Sequence, residues 1–203
     1  GFWSVEIGVG PGVLVPRADS ETLIEAAVAH FAGGEGPKLV LDLGTGPGTL
    51  LLAALAEWPE AHGLGIDASD RALQCAADNA IDLEMDERAR FKLGDWANGL
   101  DGQFDLILCN PPYIGTAEEL GPEVRDHEPA SALFAGADGL DDYRRIIPDL
   151  PRLLAPGGIA VLEIGWTQGE AVSQLMRAAR LDPILHHDLG GRPRAVAAKM
   201  PLS

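Results

Sequence analysis

The chain has 203 residues, 46% of them hydrophobic, enough for one good core and most simply a single domain. Its 15 Lys and Arg against 31 Asp and Glu give a formal charge of −16, which leaves little material for a basic face that grips duplex phosphates. No apolar run is long enough to span a bilayer, no signal peptide opens the chain, and Cys75 and Cys109 lie in apolar patterns without metal-ligand spacing, so a reduced cytoplasmic protein without a metal site is expected.

An extended stretch rich in Gly and Val leads into a helix from about Ser20 to Phe31, with Asp19 or Ser20 as its cap and Ala32-Gly33-Gly34 as its end. From Lys38 onward short apolar runs alternate with helical patterns, which predicts a parallel sheet covered on both faces. Leu39 to Leu43 reads as the first strand and Thr49 to Trp58 as its helix. Gly63 to Ile66 is the second strand, followed by a helix from about Asp70 to Leu83. Arg90 to Leu93 and Phe104 to Cys109 are the third and fourth strands. Asp141 to Leu154 is helical, with Pro148 and Pro151 expected to kink or split it. Ile159 to Ile164 is the fifth strand and Thr167 to Arg180 the next helix. Pro183 to His187 and Ala195 to Met200 close the chain without a helix between them, so one of these strands runs antiparallel to its neighbour.

Four strand ends carry the chemistry. After the first strand, Asp42-Leu43-Gly44-Thr45-Gly46-Pro47-Gly48 opens a helix with G-x-G-x-G spacing, where glycines let backbone approach a ligand closely. Position 49 is Thr, so the third glycine of the hydride-cofactor pattern G-x-G-x-x-G is missing. A tight strand-to-helix turn would use the same glycines. Asp67 ends the second strand, about 20 residues past Gly44, where a carboxylate accepts both hydroxyls of a ribose. An N-cap is the plainer role for it, although Ser69 and Asp70 are better placed for capping. Asp95-Trp96 follows the third strand. Trp96 can stack on adenine, and Asp95 can accept from its exocyclic amine. Trp58 and Trp166 read as core.

After the fourth strand comes Asn110-Pro111-Pro112-Tyr113. Two prolines fix φ and remove backbone donors, which leaves the carbonyls of Asn110 and Pro111 as stiff acceptors. An amide oxygen, a rigid carbonyl and an aromatic face suit a planar group that donates two hydrogens, such as a primary amide or an exocyclic amine. A Pro-rich turn ending a strand is the alternative.

These features together resemble a class I S-adenosylmethionine-dependent methyltransferase. Val13-Leu14-Val15-Pro16-Arg17, Glu128-Pro129, Ala132-Leu133, Gly136, Asp138-Gly139-Leu140, Tyr143, Pro156-Gly157-Gly158, Glu163-Ile164-Gly165, Asp188-Leu189 and Arg192 narrow the match. The chain resembles the HemK-like release factor glutamine methyltransferases over essentially all its length. That resemblance implies a Rossmann-like α/β fold with a mostly parallel seven-stranded sheet, one antiparallel strand near the C-terminus and helices on both faces. It implies a methyltransferase domain over residues 1–203, with 1–36 as a lead-in and the family's N-terminal helical domain absent. The first residue, Gly, also fits a trimmed piece.

The resemblance further implies S-adenosyl-L-methionine as cofactor, held by Asp42, Gly44, Thr45, Gly46, Pro47, Gly48, Asp67, Asp95, Trp96 and Asn110. Asn110, Pro111 and Tyr113 would be catalytic, with Pro112 completing the substrate pocket. The implied substrate is the glutamine of the Gly-Gly-Gln loop in peptide chain release factors. A monomer is expected, and the −16 charge counts against direct nucleic-acid binding. A ribosomal-protein glutamine or a DNA exocyclic amine are the rival substrates. The family's Pro-Arg-Pro-Glu-Thr-Glu segment reads Pro16-Arg17-Ala18-Asp19-Ser20-Glu21, so Arg17 is given no catalytic role. Glu128, Asp138 and Glu163 have no derivable role, and His127, His186 and His187 read as structural or surface residues.

Overall fold

The central strands are apolar on both sides because helices cover both faces of the sheet. The computed structural model describes Trp3, Gly8, residues 20–111 and residues 138–202. In chain order these form α1 (Glu21–Phe31), β1 (Leu39–Leu43), α2 (Thr49–Glu57), β2 (His62–Asp67), α3 (Asp70–Asp82), β3 (Ala89–Leu93) and β4 (Phe104–Cys109). The C-terminal part adds α4 (Asp141–Ile146), a 3₁₀ turn (Ile147–Asp149), α5 (Leu150–Leu153), β5 (Leu154–Glu163), α6 (Gly169–Ala178), β6 (Asp182–His187) and β7 (Pro193–Lys199).

The seven strands lie in the order β3-β2-β1-β4-β5-β7-β6. β1, β2, β3, β4 and β5 are mutually parallel, and β7 runs antiparallel to both β5 and β6. The strand order reverses direction between β1 and β4, which is where an open α/β sheet leaves a crevice beyond its carboxyl ends. Alternate residues serve two cores. Val40, Leu106, Leu108 and Val161 pack with Leu23, Ile24, Leu51 and Leu55 of α1 and α2. Leu41, Leu43, Ile107, Cys109, Ala160 and Leu162 pack with Tyr143, Ile146, Leu150 and Met176 on the other face. Each fully buried Leu, Ile, Val or Met side chain contributes about 1.5–3 kcal/mol relative to exposure.

Local chemistry sets the element ends. Buried residues run without a break from Thr49 to Leu55, so α2 is a core helix and not an amphipathic one. Arg88 closes its C-terminus by donating to the carbonyls of Leu55 at 3.1 Å and Ala61 at 2.8 Å. Pro148 and Pro151 do split the expected helix, each sitting in the first turn of the piece that follows it. β5 starts at Leu154, earlier than Ile159, because Gly158 lets β4 pass very close. A Cβ there would lie 2.9 Å from the carbonyl oxygen of Asp105 and 3.0 Å from that of Phe104.

Three expectations are corrected. Ser20 occupies the N-cap position of α1 but makes no side-chain cap, because its hydroxyl is drawn across to Glu163. Trp166 is not core: it is 55% exposed, with the Arg192 guanidinium 5.1 Å above its ring. The apolar patterns around Cys75 and Cys109 predict two core thiols, yet only Cys109 is fully buried and Cys75 is partly exposed. Asp19, Arg17, Glu128 and His127 lie outside the described residues.

Candidate functional site

The register of the sheet assembles the site. Leu43 pairs with both Ile66 and Cys109, and Cys109 pairs with Leu162. The residues that follow these positions therefore leave four neighbouring strands at one level: Gly44, Asp67, Asn110 and Glu163. Asp95 and Trp96 follow β3 on the same edge.

The glycine loop after β1 is held by its own amides. Gly44 and Thr45 donate to the carbonyl of Ile66 at 2.8 and 2.9 Å, Gly46 donates to Asp67 Oδ2 at 2.8 Å, and Gly48 donates to Thr45 O at 2.8 Å. From Gly44 to Gly48, only Pro47 lacks such a bond, and it has no N–H to give. The loop thus offers no spare donors to cradle a phosphate, unlike a pyrophosphate-binding turn. What it offers is proximity. Gly46 has φ +56°, and a Cβ built on it would meet nothing within 4 Å. Gly44 differs, because a Cβ there would strike the Trp96 ring at 2.8 Å. Pro47 is tied from behind, its carbonyl accepting from Asn79 Nδ2 at 2.9 Å.

Two carboxylates flank the loop. Asp67 is fixed through both oxygens, Oδ2 to Gly46 N and Oδ1 to Ser69 N at 3.0 Å, while Ser69 itself caps α3 by accepting from Ala72 N. Each Asp67 oxygen retains a lone pair for a hydroxyl donor. Asp42 is buried beneath the loop and accepts from Thr45 Oγ1 at 2.7 Å. Burial pushes its carboxyl up to about 7, with the charge of Asp67 adding and the Thr45 hydrogen bond opposing. Its Oδ1 has no hydrogen-bond partner among the described residues, and neither does Thr49 Oγ1 at the start of α2. Such buried acceptors fit a ligand that brings donors.

Trp96 packs its ring against Gly44 and donates from Nε1 to Asp142 Oδ1 at 3.0 Å. Burial raises the Asp142 carboxyl above its ordinary value, against the opposing pull of that hydrogen bond. Asp95 forms an ion pair with Arg145 on α4. Asn110 is half-buried and directs Nδ2 toward Ser20 Oγ at 3.5 Å. Pro111 is buried, and Pro112 and Tyr113 lie outside the described residues. Sequence reading missed Ser20, Asn79, Asp142 and Arg145 as parts of this neighbourhood. Glu163, 1% exposed at the end of an otherwise apolar strand, was the available signal for the first.

Known proteins place this arrangement. A family model described as "Methyltransferase domain" matches residues 37–188. The release factor glutamine methyltransferase of Cereibacter sphaeroides is 47% identical over 204 residues, an alignment covering 98% of this chain and 71% of that protein. The chain belongs to the release factor glutamine methyltransferase family.

Further members bear this out. Those of Rhodospirillum rubrum and Caulobacter vibrioides are 45% and 47% identical, and the alignments cover 98% and 88% of this chain. The chain spans only 62% and 63% of the lengths of those two relatives. Among solved structures, a methyltransferase from Pyrococcus furiosus aligns with TM-score 0.70 at 17% identity, covering 97% of this chain and 89% of that one. A ribosomal protein L11 methylase from Lactobacillus delbrueckii subsp. bulgaricus aligns with TM-score 0.67 at 21% identity, covering 92% and 81%. At such identities the likeness concerns the fold, which is that of class I methyltransferases. In this family member the glycine loop, Asp67, Trp96 and Asn110 therefore stand at the carboxyl edge of a methyltransferase sheet.

Proposed function

We propose that the chain transfers a methyl group from S-adenosyl-L-methionine to the side-chain amide nitrogen of the glutamine in the Gly-Gly-Gln motif of peptide chain release factors. Family membership supports the substrate class, and one observation carries the site: Asn110 stands at the switch point between β1 and β4, level with the glycine loop. The residues present fit the cofactor. Asp67 would accept from the ribose hydroxyls, Gly46 would lie against the adenosine, Trp96 would face the adenine, and the unpartnered Asp42 oxygen would receive a donor. When bound, S-adenosylmethionine supplies a methyl group made electrophilic by its sulfonium.

The protein's own work is orientation and charge stabilisation. An amide nitrogen shares its lone pair with the carbonyl, as its rotational barrier of about 18–20 kcal/mol shows. Asn110 Oδ1 and the Pro111 carbonyl would hold the two amide hydrogens and turn the nitrogen toward the methyl. As positive charge develops on that nitrogen, both acceptors bind its hydrogens more strongly, which lowers the barrier selectively. Fixed alignment adds the proximity term, and the proton leaves to water. Tyr113 would flank the amide plane, an assignment that rests on its place in the sequence. We further propose a cytoplasmic monomer that binds no nucleic acid directly, in keeping with the −16 charge.

The test offers the full-length protein labelled S-adenosylmethionine with release factor, ribosomal proteins and DNA in separate reactions, then maps the product by mass spectrometry. Label on the Gly-Gly-Gln glutamine is expected. Label on a nucleobase or a ribosomal protein alone would refute the reading.

A further inference from the structure

A hydroxyl has one hydrogen to give, and Ser20 gives its hydrogen to Glu163. Ser20 Oγ donates to Glu163 Oε1, and both residues are buried, at 3% and 1% exposure. With Glu163 ionised it can only accept, so Ser20 Oγ is the donor in that bond. Ser20 Oγ can then meet Asn110 only as an acceptor, and of the two ends of the Asn110 carboxamide Nδ2 is the one placed toward it, at 3.5 Å. The two residues come from the start of α1 and the end of β5, 143 positions apart, and meet beside the end of β4.

We propose that Ser20 and Glu163 are positioning residues that fix the rotation of the Asn110 side chain, so that Oδ1 and not Nδ2 is presented to the substrate amide. The inference rests on the acceptor role given above to Asn110. A primary amide is nearly symmetric in shape, and a half-turn about χ2 exchanges acceptor for donor. Reversed, Asn110 would set its own N–H groups against those of the substrate and lose the attraction that grows in the transition state. Glu163 also holds the same corner through its backbone, its carbonyl accepting from Tyr143 Oη at 2.5 Å. The Ser20 hydroxyl is therefore the part of the relay that can be altered with least effect on the core.

The experiment compares Ser20→Thr with Ser20→Val in the full-length protein, a pair alike in shape and different only in the hydroxyl. Ser20→Thr is expected to keep kcat within about threefold of wild type, while Ser20→Val lowers kcat by about 10–100-fold, the scale of one lost hydrogen bond to a charged or reacting group. The dissociation constant for S-adenosylmethionine should agree between the two within about twofold. Equal kcat values for the pair, or a fall in cofactor affinity matching the fall in kcat, would overturn the relay. A second readout needs no substrate. The side-chain amide resonances of Asn110, assigned by their disappearance in Asn110→Ala, should move in Ser20→Val and stay in Ser20→Thr. Resonances indifferent to both substitutions would also overturn the relay. A wild-type protein that shows this pattern yet methylates no glutamine would uphold the relay and remove the proposed substrate instead.

Discussion

Asn110 and Asp42 sit one strand apart and are tested by opposite kinds of measurement. Asn110 is half-buried at a strand end, and Asn110→Ala is expected to keep the fold and lower kcat by about 10²–10³-fold, in line with the loss of one preorganised polar group. Its cofactor dissociation constant should hardly move; equal losses in both quantities would mean that Asn110 chiefly holds the cofactor. Asp42 is a matter of pH. Its carboxyl rises from 3.8 to about 7 on folding, mainly through burial. Between those values the folded chain keeps a proton that the unfolded chain has released, so the associated stability is full below about pH 4 and is lost as pH climbs toward 7. Asp42→Asn has no such titration. Its stability relative to wild type should therefore improve by about 2–3 kcal/mol between pH 5 and pH 8 in urea unfolding. A difference that does not change with pH would show that Asp42 is already ionised in the fold.

The loop between β1 and α2 separates binding from folding because its glycines have different neighbours. Gly46 faces open space, so Gly46→Ala adds only the strain of a left-handed residue, roughly 1–2 kcal/mol, or a few degrees in Tm. The new methyl would stand where adenosine is proposed to lie, and cofactor affinity should fall by about tenfold or more, an expectation scaled from core overpacking. Calorimetric titration showing unchanged affinity would move the cofactor away from this loop. At the far end of α2, Arg88 donates to the Leu55 carbonyl of this core helix and to the Ala61 carbonyl just beyond it. Arg88→Ala should cost about 1–3 kcal/mol, since it leaves carbonyls without a donor. Because Arg88 lies at the end of α2 away from the glycine loop, cofactor affinity in the folded variant should match wild type.

Across the whole molecule the dominant fact is charge. A surplus of 16 negative charges repels itself in the compact state, and salt relieves that repulsion over about a Debye length, some 10 Å at 0.1 M. Tm should therefore rise as NaCl goes from about 0.01 to 0.15 M, without a change in the cofactor site. A Tm that falls with salt would mean that local ion pairs such as Arg144–Asp138 and Arg194–Asp188 outweigh the net repulsion. Exposed pairs of the first kind are usually worth too little for that.

The strands, their mostly parallel run and the positions of Gly44, Asp67, Asp95 and Asn110 just past strand ends were legible in the chain because each depends on short-range pattern. Apolar runs buried on both faces, glycines that tolerate positive φ, and prolines that stop a strand act within a few residues of themselves. The antiparallel return of β7 followed from the lack of a helix before it. The partners of the polar side chains were another matter. Ser20 reads locally as a helix cap, Glu163 as an unexplained carboxylate in an apolar strand, and Trp166 as core, yet the first two meet each other and the third faces solvent beneath Arg192. A hydrogen bond between residues 143 positions apart leaves no periodic trace in either segment. Its direction depends on which group arrives with a proton, and only the closed sheet brings those groups together.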